Sequence, residues 1–459
     1  LAGGKWTPSR RIRGPHADDA RFTPDPSGRW AYRSGMAGTP FVLWGLAGLT
    51  RLEPWHLKRS SFYLYQGFHP NGEWLAATST DKFETTLWPL ERRLPTVIEG
   101  WTAHGFTRDG RSLVAINRSA TRANQSETRV RFWPVPGSDR NHVTDVVFPL
   151  GAEGVMHALF PDPQGLHVLA LNYGRSSFLL SVNGDTPRNL FGFPASDRLH
   201  AGGFSPSGRF VAAASSQSEG QATLRVWDLR TDQVTAFDQP GDPEALGGYF
   251  AFQLAFVDET TLYTAGANGL LRWNLEAGTF DVVERAPGGG AVRMSMTADR
   301  NTILSYGTDP SSARIPGSAR LRDVDRDEVE PLEVPGSGAL SLSPDGTVWV
   351  SSELDGSILV GRRGDDQPHL LLGHEGRIVL PATVSPDGSW IVSSGYKGTL
   401  RLWPMPDLDK PPLHTLPHDV LIAKLKSLTN LRAVRDPESS TGWKIEVGAF
   451  PGWETVPRW

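Results

Sequence analysis

Short runs in which apolar and polar residues alternate recur along almost the whole chain, and a period of two predicts half-buried β-strands. Many of these runs follow a turn in which Pro or Asp precedes Gly, as in FSPSGRF (204–210) and VSPDGSW (384–390). Pro and Asp favour the turn dihedrals and Gly supplies a positive φ, so the pattern predicts β-hairpins. Nine turns of this kind, each ending in Gly or an equivalent residue, are found at residues 22–30, 68–74, 106–112, 160–168, 204–210, 256–263, 296–303, 342–349 and 384–390.

A second pattern, a strand that ends in Trp, alternates with these turns. Successive copies are 39 to 49 residues apart, and a period of this length with alternating strands is typical of a four-stranded propeller blade. We therefore predict an all-β fold, a single closed β-propeller with about nine four-stranded blades. The nine anchors are Trp44, Trp88, Trp133, Trp227, Trp273 and Trp403, with Leu180, Arg322 and Gly361 in three degenerate copies.

The number of blades has an alternative. A ring of eight or seven blades would leave out part of the nine repeats, and we expect a degenerate repeat among the seventh and eighth to be excluded. The six anchor Trp residues are expected to pack between neighbouring blades, where a buried indole covers on the order of 150–250 Å². The strand that closes the ring is expected from residues 8–16 or from residues 412–418, and the sequence leaves both open.

The pattern changes after the last repeat. Leu421, Ile422, Leu425 and Leu428 follow the spacing of an apolar helix face, with His418 or Asp419 near its first turn. Residues 430–448 then alternate on both sides of a DPESSTG turn, which predicts a β-hairpin. We expect residues 1–416 to form the propeller and residues 417–459 to dock on it, because so short a segment cannot build its own core.

Composition removes several classes of function. The 459 residues carry a net charge of −4, so the basic excess of a nucleic-acid-binding protein is missing. Cys is absent, which excludes disulfides and thiolate metal ligands. No apolar run reaches 18 residues, so we expect no membrane insertion by this segment. The first residue is Leu, and we expect a longer parent protein that is cytoplasmic, or extracytoplasmic if a transmembrane helix precedes this segment.

No motif for catalysis, a cofactor or a metal is found. His414 and His418 are four residues apart, but Pro417 between them opposes a helical metal pair. Asp323 starts a run that is similar to a calcium loop, but Glu328 replaces the required Gly. A nucleophile elbow of the GxSxG type is also missing. We therefore predict no catalytic residue, no cofactor and no metal, and a chain that is not an enzyme.

The repeats resemble WD repeats. The unit at 371–405 has the Gly373-His374 pair and the closing Trp403 of that family, and the resemblance extends over residues 10–416. It implies a WD-repeat propeller in which His, Ser or Thr, Asp and Trp form a hydrogen-bonded tetrad. The last repeat has His374, Ser393 and Trp403 but Tyr396-Lys397 where the Asp belongs. No repeat has all four residues, so we expect apolar packing to hold the ring.

The C-terminal segment resembles the end of bacterial WD-repeat proteins that carry a serine/threonine kinase domain upstream. The similar stretches are TLPH (415–418), TNLR (429–432), STGWKIE (440–446) and FPGW (450–453). The resemblance implies that this chain is the sensor or scaffold part of a longer signalling protein.

The partner expected on this interpretation is a protein or peptide that binds one face of a monomeric propeller. Irregular segments at 117–128, 215–223, 238–250 and 306–319 interrupt the repeat pattern, and binding residues concentrate in such loops. Arg and aromatic residues are enriched at interfaces. We therefore predict four partner-binding residues in these segments: Arg118, Arg122, Tyr249 and Phe250. The alternative function is a propeller that binds a small ligand, or acts as a hydrolase, through its central channel.

Overall fold

The fold was examined in a computed structural model. The structure describes residues 21–24, 30–34, 42–45, 50–52, 63–68, 74–79, 85–89, 96–117, 127–135, 138, 143–149, 156–172, 177–190, 198–216, 222–239, 251–287, 290–311, 313–365, 367–374, 376–395, 398–428, 431–438 and 442–447.

The chain packs as two compact units, one of residues 93–416 and one of residues 1–92 together with 417–459. The second of these contains two sheets, a helix and a hairpin. Its elements are a four-stranded sheet of β1 (Arg21–Pro24), β2 (Trp30–Ser34), β3 (Val42–Gly45) and β4 (Thr50–Leu52), a three-stranded sheet of β5 (Tyr63–Phe68), β6 (Trp74–Ser79) and β7 (Thr85–Pro89), the helix α1 (His418–Leu428), and the hairpin of β36 (Leu431–Arg435) and β37 (Trp443–Val447). The predicted C-terminal helix and hairpin are confirmed.

Within the described part of residues 93–416, the strands form seven four-stranded sheets, which we call blades 1 to 7. Blade 1 is β9 (Trp101–Phe106), β10 (Ser112–Asn117), β11 (Glu127–Pro134) and β12 (Thr144–Pro149), and blade 2 is β13 (Met156–Pro161), β14 (His167–Asn172), β15 (Ser177–Ser181) and β16 (Arg188–Leu190). Blade 3 is β17 (Arg198–Phe204), β18 (Phe210–Ser216), β19 (Ala222–Asp228) and β20 (Gln233–Gln239), and blade 4 is β21 (Ala251–Phe256), β22 (Thr261–Gly266), β23 (Gly269–Asn274) and β24 (Thr279–Glu284).

The last three blades follow the same antiparallel order. Blade 5 is β25 (Ala291–Met296), β26 (Thr302–Thr308), β27 (Arg320–Asp323) and β28 (Val329–Pro331), and blade 6 is β29 (Ala339–Leu342), β30 (Val348–Ser352), β31 (Ile358–Arg362) and β32 (His369–Leu371). Blade 7 combines β33 (Ile378–Val384), β34 (Trp390–Gly395) and β35 (Thr399–Pro404) with β8 (Thr96–Glu99) from the other end of the unit.

The prediction of an all-β propeller is confirmed, but the count of nine blades is wrong, because the unit that forms the propeller has seven. The reason is the pairing of β8, which would be the fourth strand of the second repeat. Instead Thr399 pairs with Glu99 and Leu402 with Thr96. The two repeats outside the seven are the first and second, not the degenerate seventh or eighth. The segment 412–418 holds a 3-10 helix at Leu413–Thr415, and residues 8–16 lie outside the described residues.

Neighbouring blades share apolar cores. The first strands of successive blades are in contact, from β9 with β13 through β29 with β33, and β33 also contacts β9. At the blade 7 to blade 1 junction, Trp390 and Leu402 pack with Phe106 and Leu113. The Trp at the end of a third strand faces the preceding blade, as when Trp227 of blade 3 packs on leucines of blade 2.

Polar side chains satisfy the inner edges of the first strands, which have no further strand to pair with. The Ala103 N–H donates to Ser394 Oγ at 2.7 Å, from blade 1 to blade 7. The Met294 N–H donates to Gln253 Oε1 at 2.6 Å, and the Ala382 N–H donates to Ser352 Oγ at 2.8 Å. These bonds join blades and also give partners to buried backbone N–H groups of the first strands.

Blade 6 has Gly361 where blades 1, 3, 4 and 7 have a third-strand Trp, and Trp349 on its second strand fills the space. A Cβ atom on Gly361 would lie 2.6 Å from Trp349 Cζ2. The buried Trp349 ring packs on blade 5, and its indole N–H donates to the Arg362 carbonyl at 3.0 Å. In this degenerate repeat, the indole between the blades therefore comes from the second strand instead of the third.

Candidate functional site

The antiparallel order of each blade gives the propeller two different ends. Connections from second to third strands, and from one blade to the next, lie at one end, which we call the loop end. Turns between first and second strands, and between third and fourth strands, lie at the opposite end, which we call the turn end. The strands on either side of the four irregular segments, at 117–128, 215–223, 238–250 and 306–319, end and begin at the loop end.

The turn end is built from one turn that recurs between first and second strands. Thr107 Oγ1 donates to Asp109 Oδ1 at 2.6 Å and accepts the Ser112 N–H at 3.0 Å. Thr297 and Asp299 repeat these contacts in blade 5, and this Thr297 bond holds the pKa of Asp299 below its usual range. The turn carboxylates therefore support their own turns.

Adjacent turns at this end are joined to each other. The Ser207 N–H donates to Glu259 Oε1 at 2.8 Å, and the Ala298 N–H donates to the Pro344 carbonyl at 2.7 Å. Arg300 donates from Nη1 to the Phe256 carbonyl at 2.7 Å, and burial, followed by the charge of Arg108, lowers its pKa to about 10. Arg108 itself reaches from blade 1 to the Ala298 carbonyl of blade 5. The turn end is thus a cross-linked polar surface.

Arg314 organises the part of the loop end that the structure describes between blades 5 and 6. It belongs to the segment 306–319, yet it is only 2% exposed. Its guanidinium donates to four carbonyls of the connection between the two blades, at Val334 (3.2 Å), Pro335 (2.9 Å), Gly336 (2.6 Å) and Gly338 (3.2 Å). One side chain therefore holds two segments of the loop end together.

His374, Ser393 and Trp403 form a chain of hydrogen bonds in blade 7. His374 Nε2 lies 2.6 Å from Ser393 Oγ, which also accepts the Trp403 indole N–H at 2.8 Å. His374 Nδ1 is buried without a hydrogen-bond partner among the described residues. A Cβ atom on Gly395 would lie 2.6 Å from this nitrogen, so no side chain fits there. Three members of the tetrad are assembled, and Tyr396-Lys397 lie outside the described residues.

This histidine should make the stability of the propeller depend on pH. Burial, and then the charge of Arg401, lowers the pKa of His374 to about 4. The unfolded chain, with a pKa near ~6.5, takes up a proton first as the pH falls. The stabilisation is therefore complete above pH ~6.5 and is lost as the pH falls toward ~4. We expect a loss on the order of 2 kcal/mol between pH 7 and pH 5, measured by urea unfolding. His374→Asn should unfold with a clearly flatter pH profile, and an unchanged profile would contradict the assignment.

The predicted partner-binding residues Arg118, Arg122, Tyr249 and Phe250 lie outside the described residues. Trp44 lies on β3 and Trp88 on β7, but the structure describes only the backbone of these two residues. Of the other anchors, Trp227, Trp273 and Trp403 are buried between blades, and Trp133 is partly buried against Trp101 at a ring-centroid distance of 4.8 Å. Sequence reasoning missed Arg314 and Arg108, because arginines in loops and turns are usually solvated.

Five His or Arg residues lie on the first strands of the blades: His104 on β9, His157 on β13, Arg198 and His200 on β17, and Arg293 on β25. Burial lowers the pKa of the Arg293 guanidinium. Across the described ranges, no three His, Asp or Glu side chains come together to hold a metal ion. In the same ranges, no helix is long and apolar enough to cross a membrane.

Residues 367–404 match the family model described as WD domain, G-beta repeat (WD40). No curated protein matches the chain in sequence. Among solved structures, the chain is similar to one described as "Oligogalacturonate lyase in complex with manganese", with a TM-score of 0.51 and 12% sequence identity. The match covers 76% of this chain and 98% of that chain. The repeat match in blade 7, together with seven blades in one unit, supports a WD-repeat propeller.

Proposed function

We propose that residues 93–416 form a closed seven-bladed propeller that acts as a non-catalytic interaction platform and binds a protein or peptide at its loop end. The contrast between the two ends is the observation that supports this most. The turn end repeats one turn with the same internal hydrogen bonds, whereas the irregular segments start and end at the loop end. Segments that vary on a rigid scaffold are where binding residues concentrate.

The use of polar groups in the propeller supports the same function. Turn carboxylates such as Asp109 and Asp299 accept hydrogen bonds from their own turns. Serines such as Ser352 and Ser394 saturate backbone N–H groups of the neighbouring blade. These polar groups stabilise turns and join blades. Catalysis would need several ionisable groups within hydrogen-bond reach of one point.

Three further features belong to this proposal. The propeller is a monomer and the sensor or scaffold part of a longer bacterial signalling protein associated with a serine/threonine kinase. The boundary between residues 416 and 417, with the C-terminal helix and hairpin of residues 417–459 docked on the propeller, stays a prediction. The resemblance of the C-terminal segment to kinase-associated proteins supports the signalling role, and the apolar helix face supports the docking.

Replacing Arg118 and Arg122 together by Glu is expected to abolish capture of the partner from lysate of the source cells. Charge reversal at two interface arginines removes their contacts and adds repulsion. The fold should persist, because exposed loop charges contribute little to stability. The measurement is affinity capture with cross-linking, and mass spectrometry of the cross-links locates the bound face.

The matched control is Arg230→Glu with Arg326→Glu, which reverses two charges in third-to-fourth-strand turns at the turn end, where both residues are exposed. This control should capture as much partner as the unmodified chain. Cross-links that map to Arg230 and Arg326, or a control that alone loses capture, would place binding at the turn end and contradict the proposal.

A second candidate is a small-ligand or hydrolytic site in the central channel. The observation that favours it is the likeness in fold to a structure described as a lyase in complex with manganese. The described residues do not fit a manganese site, because no three carboxylate or imidazole groups converge. Turnover in a hydrolase and lyase screen that is lost in His104→Ala or Arg293→Ala would support this candidate over the platform.

A further inference from the structure

Two leucines at the loop end of blade 6 face solvent. Leu372 is 67% exposed, the highest value for a large apolar side chain among the described residues, and Leu354 is 47% exposed. Leu354 lies in the turn between β30 and β31, and Leu372 begins the connection from β32 to blade 7. We call these two residues the leucine patch.

Strand register brings the two leucines to the same surface. Ile358 pairs with Ser352 on one side and with Leu371 on the other. Leu372 therefore lies one residue beyond the last pair, level with the turn that contains Leu354. The turn also packs on the connection, since a Cβ atom on Gly356 would lie 2.3 Å from the Gly376 carbonyl oxygen. Alternation explains the exposure of Leu372, because Leu371 points into the core between blades 6 and 7.

The turn that presents Leu354 is fixed before any partner binds. The Glu353 N–H donates to the Ser357 carbonyl at 2.9 Å, and the Gly356 N–H donates to the Glu353 carbonyl at 3.1 Å. Asp355 Oδ1 accepts both the N–H and the hydroxyl of Ser357, at 2.8 and 2.7 Å. A preorganised turn loses little backbone conformational entropy on binding.

Two charged residues near the patch narrow the choice of ligand. Asp355 is exposed beside Leu354, and its hydrogen bonds from Ser357 hold its pKa below the usual range, so it is ionised at neutral pH. Arg377 is exposed on the connection into blade 7, next to Gly376, which packs against the Leu354 turn. A complementary ligand therefore combines an apolar side chain with a base for Asp355 and an acid for Arg377.

We propose that the leucine patch binds an extended peptide of the partner protein through one large apolar side chain, with a Lys or Arg of that peptide at Asp355. The inference rests on the proposed function, because it names the partner chemistry for the same end of the propeller. An apolar anchor flanked by complementary charges provides affinity from burial and orientation from the charges.

The test uses an array of 12-residue synthetic peptides in which one Leu, Phe or Met has Lys before it and Glu after it. Matched arrays replace both charged residues by Gln or replace the apolar residue by Ala. The unmodified chain should bind the charged apolar peptides about tenfold or more tighter than the Ala array, and tighter than the Gln array. Leu354→Ser with Leu372→Ser should remove the preference for the apolar residue, and Asp355→Asn with Arg377→Gln should remove the preference for the charges.

Leu166→Ser is the matched control, because Leu166 is 49% exposed in a turn at the turn end. It should bind as the unmodified chain does, and equal loss in this control would overturn the inference. Equal binding of all arrays would overturn it as well. If the unmodified chain captures its partner and the double Ser variant captures as much, this inference fails while the proposed function stands. If the unmodified chain captures no partner, the proposed function itself fails, and this inference with it.

Discussion

Replacing Trp227 by Ala is expected to lower the free energy of unfolding of the propeller by about 3–5 kcal/mol. Trp227 is 3% exposed and packs with Leu169, Leu171 and Leu190 of blade 2 as well as Val211 of its own blade. Removal of the indole leaves a cavity between two sheets that cannot close without moving a blade. Urea unfolding at pH 7 measures the loss.

Two variants make this prediction specific. Trp227→Phe should lose much less, because a second aromatic ring fills most of the same volume. Trp133→Ala should also lose less, since Trp133 is only partly buried. Three variants of equal stability, or a Trp227→Ala protein that melts within a degree or two of the unmodified chain, would show that the indole is not part of the core between blades.

Arg314→Ala is expected to lower the free energy of unfolding by about 3 kcal/mol. The substitution leaves four carbonyls, from Val334 to Gly338, without their guanidinium donor. A buried acceptor without a partner costs about 1–3 kcal/mol, and entry of water offsets part of the total. The effect should be local at first, with faster hydrogen exchange in residues 313–318 and 334–338.

The control for this prediction is Arg320→Ala in the same blade. Arg320 donates only to the nearby Gly317 and Ala319 carbonyls, at 2.7 and 3.0 Å, and its loss should cost well under ~1 kcal/mol. Arg314→Lys should restore little, because an ammonium cannot span the carbonyls that a planar guanidinium reaches. Full stability in Arg314→Lys would mean that the positive charge, not the several N–H donors of the guanidinium, stabilises the connection between blades 5 and 6.

Much of the local structure was predictable from sequence. Alternation located the strands, and the Pro/Asp-Gly turns fall where the structure has turns with a left-handed glycine, as at Gly208 (φ 77°) and Gly388 (φ 71°). Arg300 occupies the equivalent position in blade 5 with φ 68°. That repeat was still recognisable because it keeps Thr297 and Asp299, the residue types that make the hydrogen bonds of the turn.

The number of blades was not predictable, because a short edge strand fits more than one sheet. Thr96–Glu99 (TVIE) alternates and could follow β7 as well as pair with β35. Which partner it takes depends on ring geometry, which no local pattern encodes. The degenerate repeats were misjudged for a related reason: Gly361 lacks a side chain, but Trp349 from the adjacent strand fills its place.

The candidate site was only partly predictable. The loop end follows from strand order, which the repeat pattern contains. Buried Arg314 and the exposed leucine patch were not foreseen, since single residues in a loop carry no periodic signal. The tetrad residues His374, Ser393 and Trp403 were recognised by their spacing, and the structure joins them by hydrogen bonds.

The central claim is that the propeller has seven blades and that β8 completes the last one, and a disulfide tests it most directly. The chain has no Cys, so Glu99→Cys with Thr399→Cys introduces a single pair at partner positions of β8 and β35. Cα atoms of antiparallel partners lie ~4.5–5.5 Å apart, within the range of a disulfide. Arg129→Cys with Val147→Cys, partners within blade 1, controls for oxidation. We predict that both pairs oxidise nearly completely in the folded protein, as measured by intact mass. If the blade 1 pair closes while Cys at 99 and 399 remain reduced, the seven-bladed closure is contradicted.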